Sequence, residues 1–189
     1  MIVQTQTRFL TWLRSFPITI LAVKAVLLSV LIAVAAQISI PFWPVPMTLQ
    51  PMAILGISLS CSPGVAVSAV IAYLIEGALG FPVFHNFHGG LAYMMGTTGG
   101  YLLGFVLMVV TIGWLKPYAR TPIQVFMLVN IAHIAVFLPG VLWLSLFTGL
   151  ASAFKYGFFP FILKVPVESA LAMITCSLVR PFIPKISFS

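Results

Sequence analysis

Six apolar runs, each closed by proline, glycine or a short polar break, restrict this chain more than anything else in it. The runs cover roughly Ile18 to Ile40, Met47 to Ser60, Val65 to Gly80, Gly99 to Leu115, Ile123 to Phe147 and Pro160 to Val179. The first has the ~20 residues that a bilayer crossing requires. The breaks are Pro41-Phe-Trp-Pro-Val-Pro46, Cys61-Ser-Pro-Gly64 and Lys116-Pro-Tyr-Ala-Arg-Thr-Pro122, none of which continues a helix. The runs are too many for a signal peptide followed by a globular body. Charged residues make up 6% of the chain, against about 25% in soluble domains. The expected fold is an all-α integral membrane protein with six transmembrane helices, multi-pass in the cytoplasmic membrane. One transmembrane domain, 1–189, would divide into an interfacial cytoplasmic segment 1–17, a bundle 18–180 and a tail 181–189.

Charge sets the orientation. The formal net charge is +7, but the nine Lys and Arg residues are spread thinly, and nucleic-acid binding needs a dense basic stripe. With six spans, Arg8, Arg14, Lys24, Lys116, Arg120, Arg180 and Lys185 fall on or near one side, and Lys155 lies in a loop on the other. The positive-inside rule makes the first side, with both termini, cytoplasmic. The proline-rich loop 41–46, the central stretch that begins at Phe81 and the connection 148–159 then cluster outside, as a lid and binding mouth. Cys61 and Cys176 suggest neither a disulfide nor a metal framework.

The central stretch from Phe81 to Phe105 combines glycines, aromatics and two histidines between apolar runs. Irregular backbone inside lipid survives only where protein buries it or where it lines a cavity, so this is the candidate binding region. Glu76, Lys164 and Glu168 interrupt apolar runs, at a cost of about 2.5–3.5 kcal/mol each near a bilayer centre. Such groups face a bundle interior, as a ligand site or as an ion pair that fixes packing. Lys164 and Glu168, at i and i+4, share a helix face. Ala25, Ser29 and Ala33 form a small-residue stripe on the first helix, suited to close contact with another helix of this chain or of a partner. His88 is expected to hydrogen-bond in a cavity, and His133 to be a satisfied core histidine. His85, His88 and Glu76 leave open an intramembrane enzyme, but they fall short of the three or four protein ligands that zinc takes. No catalytic constellation, metal site or cofactor is assigned. A purely structural subunit and a secondary transporter are the remaining alternatives.

Four ordered motifs carry a resemblance. Pro44-Val-Pro-Met-Thr-Leu-Gln50, Glu76-Gly-Ala-Leu-Gly-Phe-Pro-Val-Phe84, Gly89-Gly-Leu-Ala-Tyr93 and Gly96-Thr-Thr-Gly-Gly-Tyr-Leu-Leu-Gly-Phe105 together resemble the BioY family. Its members are substrate-binding (S) components of energy-coupling-factor (ECF) biotin transporters. The resemblance implies an S-component bundle that captures biotin at the outer face. It also implies partnership with a transmembrane coupling protein and a pair of cytoplasmic ATPases. The stripe Ala25, Ser29, Ala33 looks like the family's surface for the coupling protein.

Two departures from the family pattern stand out. Thr97 stands where members commonly have proline. The family's sixth helix usually opens Pro-Gly-Asp-x-x-Lys, but Pro160-Phe-Ile-Leu-Lys-Val-Pro-Val-Glu168 puts Val165 at the Asp and Glu168 at the Lys, with Lys164 just before. Lys164 and Glu168 still offer both charges on one face, for a ureido ring with two N–H donors and one carbonyl. Phe84, Tyr93 and Trp143 would supply apolar walls, and Glu76 and His88 further polar contacts. Another small vitamin-like ligand is the alternative occupant.

Overall fold

The structure, a computed structural model, describes residues 18–179. The expected segment 1–17 and tail 181–189, with Arg8, Arg14, Arg180 and Lys185, lie outside the described residues, as does the side chain of Cys176. Helix α1 (Ile18–Gln37) leads into a hairpin of β1 (Ser39–Ile40) and β2 (Met47–Thr48). The two strands pair antiparallel, Ser39 opposite Thr48 and Ile40 opposite Met47. Then follow α2 (Gln50–Ser60), α3 (Pro63–Ala78), a 3-10 turn His85–Phe87, the single turn α4 (Leu91–Met94) and α5 (Gly99–Leu115). A 3-10 turn Lys116–Tyr118, α6 (Pro122–Thr148), α7 (Leu150–Gly157) and α8 (Phe159–Val179) complete the described chain.

Local chemistry explains several boundaries. Thr121 and Gln124 form a capping box at the start of α6: Thr121 Oγ1 accepts from the Gln124 N–H at 3.3 Å, and Gln124 Oε1 accepts from the Thr121 N–H at 3.0 Å. Proline sits in the first turn of α2, α3 and α6, where no N–H partner is needed. The hairpin and α7 were not expected. The first helix stops at Gln37 rather than Ile40 because residues 39–40 pair with 47–48. The second starts at Gln50 rather than Met47 for the same reason.

Four stretches have the length and apolar composition to cross a membrane: Ile18–Gln37, Gly99–Tyr118, Pro122–Thr148 and Leu150–Leu171. Helices α2 and α3 are apolar but shorter, at 11 and 16 residues. At 1.5 Å per residue they reach roughly 16 and 24 Å, against a hydrocarbon core of about 30 Å. The irregular segment before α2 is folded against protein, and there the cavity forms.

On α5 glycine has a different use from the irregular backbone expected of the central stretch. Gly100 and Gly104 on α5 let α6 approach closely: a Cβ on Gly104 would lie 2.8 Å from the Val136 backbone, and Gly140 on α6 accepts the ring of Tyr101. On α5 this is small-residue packing in lipid, whereas Gly89, Gly90 and Gly96 lie in the irregular backbone expected of the central stretch. Of the glycines in the central stretch only Gly90 requires positive φ, at 92°, and Gly80 just before the stretch has 95°.

The bundle has two distinct ends. At one, Lys116 Nζ donates to the carbonyls of Ser58 and Cys61 at the end of α2. At the other, Gln37, the hairpin loop, residues 84–97, Trp143 of α6 and the end of α7 are tied together. The outer face of α1 leaves Val23, Val26, Leu27, Val30, Leu31 and Val34 exposed, as suits a helix against lipid tails.

Candidate functional site

Near the second end lies a small cavity with about 50 Å³ of free space, enough for a few water molecules. Its walls are largely apolar: Phe84, Tyr101, Phe105, Val136, Phe137 and Phe161. Into this lining project Lys164 and Glu168 of α8 and His133 of α6. Glu168 is 4% exposed, and a buried carboxylate demands partners. It has two: Lys164 Nζ at 3.1 Å from Oε1, and His133 Nε2 at 3.0 Å from Oε2. His133 Nδ1 lies 2.9 Å from the Val129 carbonyl and so donates to it. Lys164 Nζ also donates to the Thr48 carbonyl at 3.3 Å, satisfying backbone at the last residue of the hairpin.

A second network frames the wall. Thr48 Oγ1 donates to Gln50 Oε1 at 2.7 Å, Gln50 Nε2 to Tyr73 Oη at 2.6 Å, and Tyr73 Oη to the Val83 carbonyl at 3.3 Å. It ties the start of α2 to α3 and to the strand-like segment that carries Phe84. Tyr101 Oη donates to the Gly157 carbonyl at 2.8 Å, holding α7 over the aromatic wall.

Beyond the cavity opens a vestibule with about 610 Å³ of free space, lined by residues of 41–46 and of 85–98. Pro46, His85, Tyr93 and Thr98 line both spaces and form the neck between them. Two ties hold this region. Thr97 Oγ1 donates to the Pro44 carbonyl at 2.9 Å. Gln37 donates through Nε2 to the Phe84 carbonyl at 2.9 Å and accepts at Oε1 from the Phe87 N–H at 3.0 Å. The rings of Phe84, Tyr93 and His88 stack with centroids 5.2 Å apart in each step. Burial pushes the Tyr93 phenol above its ordinary value, against the opposing effect of its hydrogen bond with Thr98.

The structure brings Phe84, Tyr93, Lys164 and Glu168 together around the cavity and places His88 in the vestibule. Glu76 and Trp143 line neither. Glu76 Oε1 accepts from Ser29 Oγ at 2.8 Å, because α3 turns that side chain toward α1. Trp143 donates from Nε1 to the Gly96 carbonyl at 2.9 Å, bracing the turn before α5. The stripe expected to meet a coupling protein lies inside the bundle: Ser29 is fully buried, Ala25 is 6% exposed, and Ala33 is half-buried. Its small side chains let α1 pack on α3, and the exposed flank of α1 is elsewhere on the helix.

His133 is the residue that sequence reasoning missed. It is buried as expected, but its partner is the Glu168 carboxylate, 35 positions away. The available signal was a titratable group within an apolar run, which by itself marks functional interiors in membranes. Among the described residues, no three His, Cys, Asp or Glu side chains gather as a metal-ligand set. Glu76 is also bonded away from His85 and His88, so the enzyme alternative lacks its constellation.

Comparison with known proteins agrees with this fold. A crystal structure of the S-component for biotin from an ECF-type ABC transporter superposes with a TM-score of 0.68 at 22% identity, covering 95% of this chain and 92% of that one; at that identity the likeness concerns the fold. The probable biotin transporter BioY of Pyrococcus horikoshii is 35% identical over 144 residues, 76% of this chain and 86% of that protein. The biotin transporter BioY of Thermotoga maritima is 34% identical over 157 residues, 80% and 92% of the two chains. The biotin transporter BioY2 of Lactococcus lactis is 32% identical over 162 residues, 84% and 87%. The sequence model described as the BioY family matches residues 6–185. This multi-pass membrane protein therefore belongs to the BioY family.

Proposed function

We propose that this chain binds biotin at the outer face of the cytoplasmic membrane and serves as the substrate-specific component of an ECF-type transporter. It is a transport protein and not an enzyme. In this reading the bundle crosses six times with both termini cytoplasmic, α2 and α3 making the short crossings, and residues 1–189 form one transmembrane domain. A transmembrane coupling protein and a pair of cytoplasmic ATPases supply the energy.

The observation that carries the reading is a match in hydrogen-bond counts at the cavity floor. A carboxylate offers about four lone-pair sites and an ammonium three N–H donors. Glu168 uses one site on each oxygen for His133 and Lys164, so both oxygens keep capacity. Lys164 uses one donor on Glu168 and one on the Thr48 carbonyl, so one remains. A ureido group needs two acceptors for its N–H pair and one donor for its carbonyl, which is the unused set. The aromatic wall of Phe84, Tyr101 and Phe137 suits the thiophane ring and aliphatic chain. Pockets for ligands of this size measure about 300–1,000 Å³. The described cavity of about 50 Å³ is smaller than that, and in this reading entry moves loop 41–46 away from Thr97.

Titrating biotin into the purified protein in lipid nanodiscs tests the reading. Saturable binding that Glu168→Ala abolishes supports it. No binding, or tight binding indifferent to Glu168→Ala, overturns the assignment of the floor.

A further inference from the structure

We propose that His85 receives the ligand's carboxylate at the neck between vestibule and cavity. The proposal rests on the biotin reading and extends it to a residue outside the Lys164–Glu168 floor. Four residues line both spaces, and of these only His85 has a side chain that can become cationic. The floor carries one ammonium and one carboxylate in contact, so it offers no surplus charge to an anion. No carboxylate lines the vestibule among the described residues. A ligand with its ureido head on the floor therefore carries its acid group toward the neck.

The ring of His85 is left short of a bond there. Its Nδ1 is buried and has no hydrogen-bond partner among the described residues. The other histidines differ: both ring nitrogens of His133 are bonded, and His88 Nδ1 lies 3.0 Å from the His85 carbonyl. Buried polar atoms are nearly always satisfied, and an exception in a site points to a missing partner. An N–H at Nδ1 is the donor that a carboxylate oxygen takes.

The backbone around His85 is also held against its preference. Asn86 and Phe87 have φ of 55° and 57°, left-handed values that non-glycine residues seldom adopt. Such strain persists where neighbours enforce it. Gln37 does so, bonding the carbonyl of Phe84 and the N–H of Phe87 on either side of His85. Gln37 is thus a positioning residue for His85.

The test compares biotin with biotin methyl ester, which keeps the ureido ring and lacks the charged tail. Both are titrated into wild-type protein, His85→Ala and His85→Asn in nanodiscs. Wild type is expected to prefer the acid. His85→Ala should lose about tenfold or more in affinity for biotin, the scale of a hydrogen bond to a charged group, while the ester changes by less than about twofold. His85→Asn, whose amide can stand in for the Nδ1 donor, should recover part of the preference for the acid. An acid-over-ester preference that survives His85→Ala, or equal losses for both ligands, overturns the proposal. Wild-type protein that binds neither ligand overturns the biotin reading itself, which is a different result.

Discussion

Replacing Glu168 by Gln separates the ligand's need for a carboxylate from the fold's need for it. In the wild-type protein, Glu168 is contacted by Lys164 Nζ at 3.1 Å and His133 Nε2 at 3.0 Å. Gln keeps the volume, its carbonyl oxygen still accepts from Lys164, and its amide donates to His133 Nε2. That last bond requires His133 to give up the Nε2 proton with which it donates to the Glu168 carboxylate and to keep hydrogen on Nδ1, facing the Val129 carbonyl. The lost charge leaves the Lys164 ammonium without its counter-ion. Removing one partner of a fully buried pair costs about 3–5 kcal/mol. Lys164 keeps 23% side-chain exposure, which discounts this to roughly 1–2 kcal/mol of stability. The ligand fares worse, because one ureido N–H now faces an amide N–H instead of an acceptor. The lost charge-assisted bond is worth about 1.5–3 kcal/mol, or roughly ten- to hundredfold in Kd. Isothermal titration with biotin, beside a thermal melt of the same sample, reads both quantities. A Glu168→Gln protein that binds within about threefold of wild type would refute the floor as the ureido site, whatever its stability.

Thr97→Val removes the hydroxyl that holds loop 41–46 at the Pro44 carbonyl; a lost neutral hydrogen bond of about 0.5–1.5 kcal/mol should speed dissociation of radiolabelled biotin about three- to tenfold, and an unchanged off-rate would rule out this tie as a latch. Gln37→Ala frees both ends of the 84–87 turn and should weaken biotin binding about tenfold, with smaller loss for the methyl ester, as seen by titration. Gly104→Val forces a side chain into the Val136 backbone, 2.8 Å from the added Cβ; overpacking of this kind costs about 1–3 kcal/mol and should lower the melting temperature in detergent. Burial raises the Cys61 thiol above its ordinary value, and the nearby Lys116 and Lys24 oppose that only in part. In a Cys176→Ser background, maleimide labelling of Cys61 at neutral pH should be slower than for a free thiol and should keep accelerating as pH rises past the usual thiol range.

Much of the architecture was legible in residue order because lipid imposes a strict rule: apolar runs must be helical and breaks must fall at their ends. The span of α5 from Gly99 to Leu115 follows from that rule alone. So does the sharing of one α8 face by Lys164 and Glu168, since helical spacing sets it. What residue order could not contain is which distant groups meet. Ser29 and Glu76 were assigned to different surfaces, yet they bond each other 47 positions apart. His133 reads as an isolated core residue until α6 packs against α8 and delivers it to Glu168. The glycines of α5 suggested loose backbone, and only the approach of α6 reveals them as clearance for Val136 and Trp143. Periodicity and solvent decide where helices run, because both act locally along the chain. Partners for buried polar groups are decided by helix rotation and depth, which arise only when every span has packed.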